Sequence, residues 1–176
     1  MPRKASQWIV AAIVGGLLAT SAAAEVVGRV VAVHDGDTIT VLVAGRDIRV
    51  RLHAIDAPER GQPFSNASRH ALEALVAGRE VRIVERGHDG YGRLLGRVHA
   101  GALDVNAEQV RLGYAWVFRR FVNDPVLLAS EAEAKAAQRG LWRDPGAMPP
   151  WQWRARRALQ PTSTPRVHSS LDVVPS

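Results

Sequence analysis

From Glu25 onward the chain reads as a series of strands, and in the second and third of them side chains alternate with period two. The run "EVVGRVVAVHDG" reads as a β-strand, and "DTITVLVAG" and "RDIRVRLHAI" read as two more. In the second, Ile39, Val41 and Val43 alternate with Thr38, Thr40 and Leu42. In the third, Ile48, Val50 and Leu52 alternate with Arg49 and Arg51. This pattern predicts an antiparallel meander with one buried face, turning near Ala44-Gly45. "DAPERGQPF" then breaks the pattern with two prolines and a glycine. "SNASRHALEALVAG" changes to helical spacing, with Ser65 or Asn66 as its expected cap and Gly78 as its stop. "REVRIVERG" and "LLGRVHA" return to strand spacing across "HDGYGR". "DVNAEQVRLG" is a short helix, and Asp124-Pro125 caps a third, Ala-rich one that ends at Gly140. The order β-β-β-α-β-β-α-α, five strands with a helix after the third, predicts an α+β fold. It is a five-stranded OB-fold-type barrel with three helices.

The two ends differ from this body. Residues 1–24 combine "MPRK", an apolar run and "SAAAEV", the layout of a secretory signal peptide cleaved after Ala24. The apolar run is short for a bilayer span of roughly 20 residues. The expected product is therefore secreted or periplasmic, with no stable membrane association. Residues 25–145 form the expected domain. Residues 146–176 begin as "PGAMPPWQWRARR" and continue as a polar, aperiodic stretch, which predicts a Pro-rich, basic and aromatic tail running into disorder.

Composition narrows the chemistry. The 176 residues carry a formal net charge of +6, and Lys4 and Lys135 are the lysines, so arginine supplies nearly all the positive charge. Guanidinium binds phosphate through a planar fork, which favours phosphate-bearing partners. The absence of cysteine excludes disulfides, thiolate catalysis and Cys-based zinc sites. The six histidines show no zinc-binding spacing.

Three polar clusters fall at strand ends: "DGDT" (residues 35–38), "RLHAIDAPE" (51–59) and "DGYGR" (89–93). Each alone reads as a turn or a solvated loop. Asp35-Gly36 has the hairpin-turn signature, yet Asp37 stands where a strand should begin, although Asp is a poor strand residue. Together the clusters supply Asp37, Asp56 and Glu59 as oxygen ligands or a base, and Arg51 and Arg93 as phosphate clamps. A meander brings Asp37 and Asp56 toward one barrel end. Two carboxylates with carbonyls and water suit Ca²⁺, and the spacing is not that of an EF-hand loop. These are the parts that phosphodiester hydrolysis requires.

"HDGDT", "RVRLHAIDAPE" and "DGYGR", in this order, closely resemble the thermonuclease family, the staphylococcal-nuclease-like calcium-dependent nucleases. "LDVNAEQVRLGYAWV" and "EAEAKAAQRGLW" extend the resemblance over roughly residues 26–142. It implies Asp37 and Asp56 as calcium ligands, with the Ala57 carbonyl where other members have Thr. Arg51 and Arg93 would hold the phosphate, Glu59 would be the general base and Tyr91 would lie near the nucleotide. Where the family has two tyrosines near the terminal phosphate, this chain offers Arg119 and Phe121. The resemblance implies an exported, monomeric endonuclease acting on single-stranded DNA, RNA and duplex DNA with little sequence preference. The competing expectation is an OB-fold nucleic-acid-binding module without turnover. Such a module has no chemical need for all of Asp37, Arg51, Asp56, Glu59 and Arg93.

Overall fold

The computed structural model describes residues 24–120 and 124–159. The expectations for the signal peptide, for Phe121 and for the tail beyond 159 fall on residues outside these ranges. Strands β1 (Glu25–Val33), β2 (Thr38–Val43) and β3 (Arg46–Leu52) form the predicted meander. After helix α1 (Ser65–Val76), strands β5 (Glu80–His88) and β6 (Leu94–Ala100) pair with each other, and β5 pairs with β1. A parallel contact between β3 and β6 (Val50↔Leu94, Arg51↔Leu95, Leu52↔Gly96) closes five strands into a barrel. The family of period-two positions fills it: Ile39, Val41, Val50, Leu52, Ile83 and Val98 are fully buried. Each such side chain contributes about 1.5–3 kcal/mol.

Short strands escaped the sequence pattern. β4 (Ile55–Asp56) pairs with β8 (Trp116–Val117), and β7 (Leu103–Asp104) extends β6. Two or three residues give no readable period. Helices α2 (Val105–Arg111) and α3 (Pro125–Ala136) begin as expected. Asp104 accepts from the Ala107 N–H, and Asp124 accepts from the Val126 and Leu127 N–H groups. Helix α1 departs from expectation. Its cap residue is Phe64 at φ 67°, and no side chain caps it. Phe64 takes the left-handed turn that the "RGQPF" loop imposes before the helix.

The predicted count of three helices is also corrected. A fourth, α4 (Pro150–Leu159), forms in the segment read as a tail. Proline at its first turn is compatible with helix, and its tryptophans dock on the barrel. Trp151 packs on Phe118 with ring centroids 5.6 Å apart, and Gln62 Nε2 donates to the Met148 carbonyl at 2.6 Å.

Candidate active site

The loop between β1 and β2 places the first acid. Asp35 Oδ1 accepts from the Asp37 N–H at 3.0 Å, and the His34 N–H donates to the Thr38 carbonyl at 2.9 Å. Gly36 does not have the positive φ of a type I′ hairpin turn, so the Asp-Gly reading gave the right location for the wrong reason. A Cβ on Gly36 would stand 1.8 Å from Ser68 Oγ and 2.8 Å from the Ala57 Cβ. Glycine is required there because α1 packs against the loop backbone. Gln109 of α2 fastens the same loop: its Nε2 donates to the Gly36 carbonyl at 3.0 Å and to the Ser68 carbonyl at 2.8 Å. Neither Gln109 nor Ser68 was marked by the sequence, where each is one polar residue on a helix.

The second acid comes from β4. Asp56 is oriented by pairing with Trp116, after a left-handed residue, Ala54 at φ 67°, reverses the chain. Asp37 and Asp56 are both buried, at 5% and 1% exposure. One guanidinium joins them: Arg51 Nη2 lies 2.7 Å from Asp56 Oδ1 and 3.3 Å from Asp37 Oδ2, and its Nη1 donates to the Ile55 carbonyl at 3.1 Å. The Ala57 N–H donates to Asp37 Oδ2 at 2.8 Å, and Thr38 Oγ1 donates to Asp37 Oδ1 at 3.0 Å.

Buried negative charge dominates the electrostatics. Burial, and then the neighbouring Asp37 charge, push the Asp35 carboxyl up to about 6. Burial also leaves Asp56 above its ordinary value, although Arg154 and Arg51 pull it back. Burial would lower Arg51, but Asp37, Asp56 and Asp35 hold it above the usual arginine value. The pair therefore accommodates more positive charge than Arg51 alone supplies. Among the described residues, no three His, Cys, Asp or Glu side chains are grouped to hold a metal by themselves. A cation here would rest on two carboxylates, completed by backbone and water. That all-oxygen set fits a hard ion such as Ca²⁺ and fits a thiophilic or imidazole-seeking ion poorly.

A cavity of 770 Å³ opens over the pair, and Arg51, Asp56, Ala57, Glu59, Tyr91 and Arg93 are among its lining residues. The "DGYGR" turn presents its arginine from the far side. Asp89 Oδ1 accepts from the Tyr91 and Arg93 N–H groups at 2.9 and 3.0 Å, and Asp89 Oδ2 accepts from Arg93 Nε at 2.7 Å. The Arg93 guanidinium lies 5.5 Å from the centre of the Tyr91 ring, which is itself 89% exposed. Seven of the nine sequence-predicted residues thus surround one cavity.

Arg119 does not join them. Its Nη2 donates to Glu131 Oε2 at 2.6 Å, and it borders a separate hollow with Phe118 and Trp151. Arg119, predicted as a substrate contact, is ion-paired with the buried Glu131 carboxylate while its side chain stays 57% exposed.

Arg154 also reaches the acids, a place the sequence did not assign to it. From α4, its Nη2 donates to Asp56 Oδ2 at 2.8 Å, and its Nη1 lies 3.3 Å from Asp56 Oδ1. Nη1 also donates to Glu59 Oε1 at 2.5 Å. The two carboxylates hold Arg154 well above the usual arginine range, against the opposing effect of burial.

Residues 49–144 match the sequence model of a family described as Staphylococcal nuclease homologue. The chain belongs to this family. An "Uncharacterized endonuclease" of Escherichia coli O157:H7 is 44% identical over 135 residues, which is 76% of this chain and 88% of the relative. A "Micrococcal nuclease" of Shigella flexneri is 42% identical over 156 residues, 82% of this chain and 90% of the relative. A "Probable staphylococcal-like nuclease CAN3" of rice, Oryza sativa subsp. japonica, is 38% identical over 112 residues, 64% of this chain and 30% of that longer protein. The family match covers the end of β3 from Arg49, the "DAPE" acid and the "DGYGR" turn. It begins beyond Asp37, which the barrel brings to the same place.

Proposed function

We propose that this protein is a staphylococcal-nuclease-like nuclease that hydrolyses phosphodiester bonds of DNA and RNA with little sequence preference, using Ca²⁺. The buried Asp37–Arg51–Asp56 bridge beneath a cavity that also presents Arg93 and Glu59 carries this reading. Asp37 and Asp56, with Ala57 beside them, would hold the ion, and a bound ion supplies Lewis acidity toward a phosphoryl oxygen. Arg51 and Arg93 reach the cavity from β3 and from the β5–β6 turn, and can bracket one phosphate. Their guanidiniums stabilise charge as it develops on the phosphoryl oxygens, and removing one such donor typically costs about 10²–10³ in rate. A Glu59 carboxylate oxygen can take the proton from an attacking water. The N-terminal layout of residues 1–24 supports export, and cell fractionation tests it.

The test is digestion of single-stranded DNA, duplex DNA and RNA, with calcium and with a chelator. Asp37→Asn and a Glu59→Ala/Arg93→Ala double variant serve as controls. Asparagine is preferred to alanine at position 37, because Asp37 Oδ2 satisfies the buried Ala57 N–H and truncation would orphan it. Calcium-dependent cleavage lost in both variants is expected. Nucleic-acid binding with no cleavage under several divalent ions would refute the enzyme and leave the binding module.

A further inference from the structure

Helix α4 meets the barrel through Pro150, its two tryptophans and Arg154, and the last of these enters the acid cluster. Pro150 is its buried residue; the arginines at 154, 156 and 157 all reach solvent to some degree. Trp151 rests on Phe118. Trp153 borders a small hollow with Gln62, Phe64 and Trp116, and its Nε1 is buried without a hydrogen-bond partner. A ten-residue helix of this kind is marginal by itself. Its best-satisfied polar contact is Arg154, whose guanidinium spans Asp56 and Glu59, residues 98 and 95 positions away in sequence.

The same lone pairs cannot serve two cations. Ca²⁺ requires carboxylate oxygens at about 2.3–2.6 Å, whereas Arg154 Nη2 already lies 2.8 Å from Asp56 Oδ2 and Arg51 Nη2 lies 2.7 Å from Asp56 Oδ1. A dication on Asp56 would face two guanidiniums at close range, and the solvent-facing one is free to leave. Arg51 is anchored within the barrel by the Ile55 carbonyl and by Asp37. Arg154 reaches the same acids from outside the barrel, with its side chain 45% exposed against 18% for Arg51.

We propose that α4 is an inbuilt plug. Arg154 occupies the carboxylates of Asp56 and Glu59, and a divalent cation must displace it, releasing the helix and freeing the Glu59 oxygen. This rests on the cation-binding reading above and adds a regulatory element to it.

The experiment needs no substrate. Calcium binding to the full chain is measured by titration calorimetry for the wild type, Arg154→Ala and an Asp56→Asn control. Amide hydrogen exchange across residues 150–159 is followed in the wild type with and without calcium. Calcium binding at least 10-fold tighter in Arg154→Ala, with α4 exchange accelerated by calcium in the wild type, is expected. Equal or weaker affinity in Arg154→Ala overturns the plug and leaves the calcium site standing. Absence of calcium binding in both the wild type and Arg154→Ala overturns the plug and the calcium reading together.

Discussion

Gly36→Ala tests whether the acid-bearing loop is shaped by packing or by turn chemistry. The added Cβ would meet Ser68 Oγ at 1.8 Å and both Ser68 Cβ and Ala57 Cβ at 2.8 Å. Ser68 cannot simply rotate away, since its Oγ donates to the Tyr114 carbonyl at 2.7 Å and ties α1 to the β8 approach. Overpacking a filled site costs roughly 1–3 kcal/mol, and losing the Ser68 bond adds about 1 kcal/mol. The expected destabilisation is about 2–4 kcal/mol, or roughly 5–15 °C in Tm for a domain of this size. Thermal melts followed by circular dichroism measure it. Gly36→Asn separates the two explanations. Asn tolerates left-handed backbone far better than Ala, so a turn-driven glycine would accept Asn more readily than Ala. A packing-driven glycine rejects the larger Asn more strongly. Gly36→Ala melting within 1–2 °C of wild type, or Asn outperforming Ala, would refute the packing account.

Two further outcomes follow from buried charge. Glu131 is 1% exposed and accepts from the Val117 N–H, Arg119 and Lys135. Burial raises its pKa, but these donors outweigh burial and leave it lowered. Its stabilisation is therefore complete above the ordinary Glu range and is lost as pH falls through the lower folded value. Glu131→Gln should cost about 2 kcal/mol near pH 7, and urea titrations should show the gap to wild type closing below about pH 4. Replacing Arg51 with Met leaves Asp37 without a guanidinium and Asp56 with Arg154 alone, so it should destabilise by about 3 kcal/mol and cut cleavage by about 10²–10³. Wild-type stability in Arg51→Met by the same urea assay would show that the two acids do not need a buried counter-charge.

The fold was legible wherever a pattern ran long enough to declare its period. The strands at 25–33, 38–43, 46–52, 80–88 and 94–100 are each six or more residues long, and the closed barrel follows from their number and order. Two-residue strands carry no period, so β4, which aims Asp56, was invisible and Asp56 was read as loop. The α1 cap failed for a related reason. Ser65 is a good capping residue by type, but the preceding loop delivers Phe64 in the left-handed region, and backbone geometry overrides side-chain preference.

The site was legible in its acids and in the two arginines nearest to them, because residue type and order alone separate "DGDT", "DAPE" and "DGYGR" from ordinary turns. What supports and occupies those residues was not legible, since it depends on contacts between segments far apart in the chain. Gln109 reaches Gly36 across 73 positions, and Arg154 reaches Asp56 across 98. In sequence, "PWQWRARR" shows tryptophans and arginines but not the surfaces they meet. The barrel gives its tryptophans a surface to rest on, and the carboxylates of Asp56 and Glu59 meet Arg154 rather than its neighbours Arg156 and Arg157. Those neighbours point a different way: positions 156 and 157 follow 154 by roughly 200° and 300° around a helix turning about 100° per residue. Exchanging Arg154 with Ala155 turns that guanidinium by roughly 100° about the helix, leaves composition and charge unchanged and still uncovers the carboxylates, a result that a merely electrostatic attraction between a basic tail and an acidic cavity would not produce.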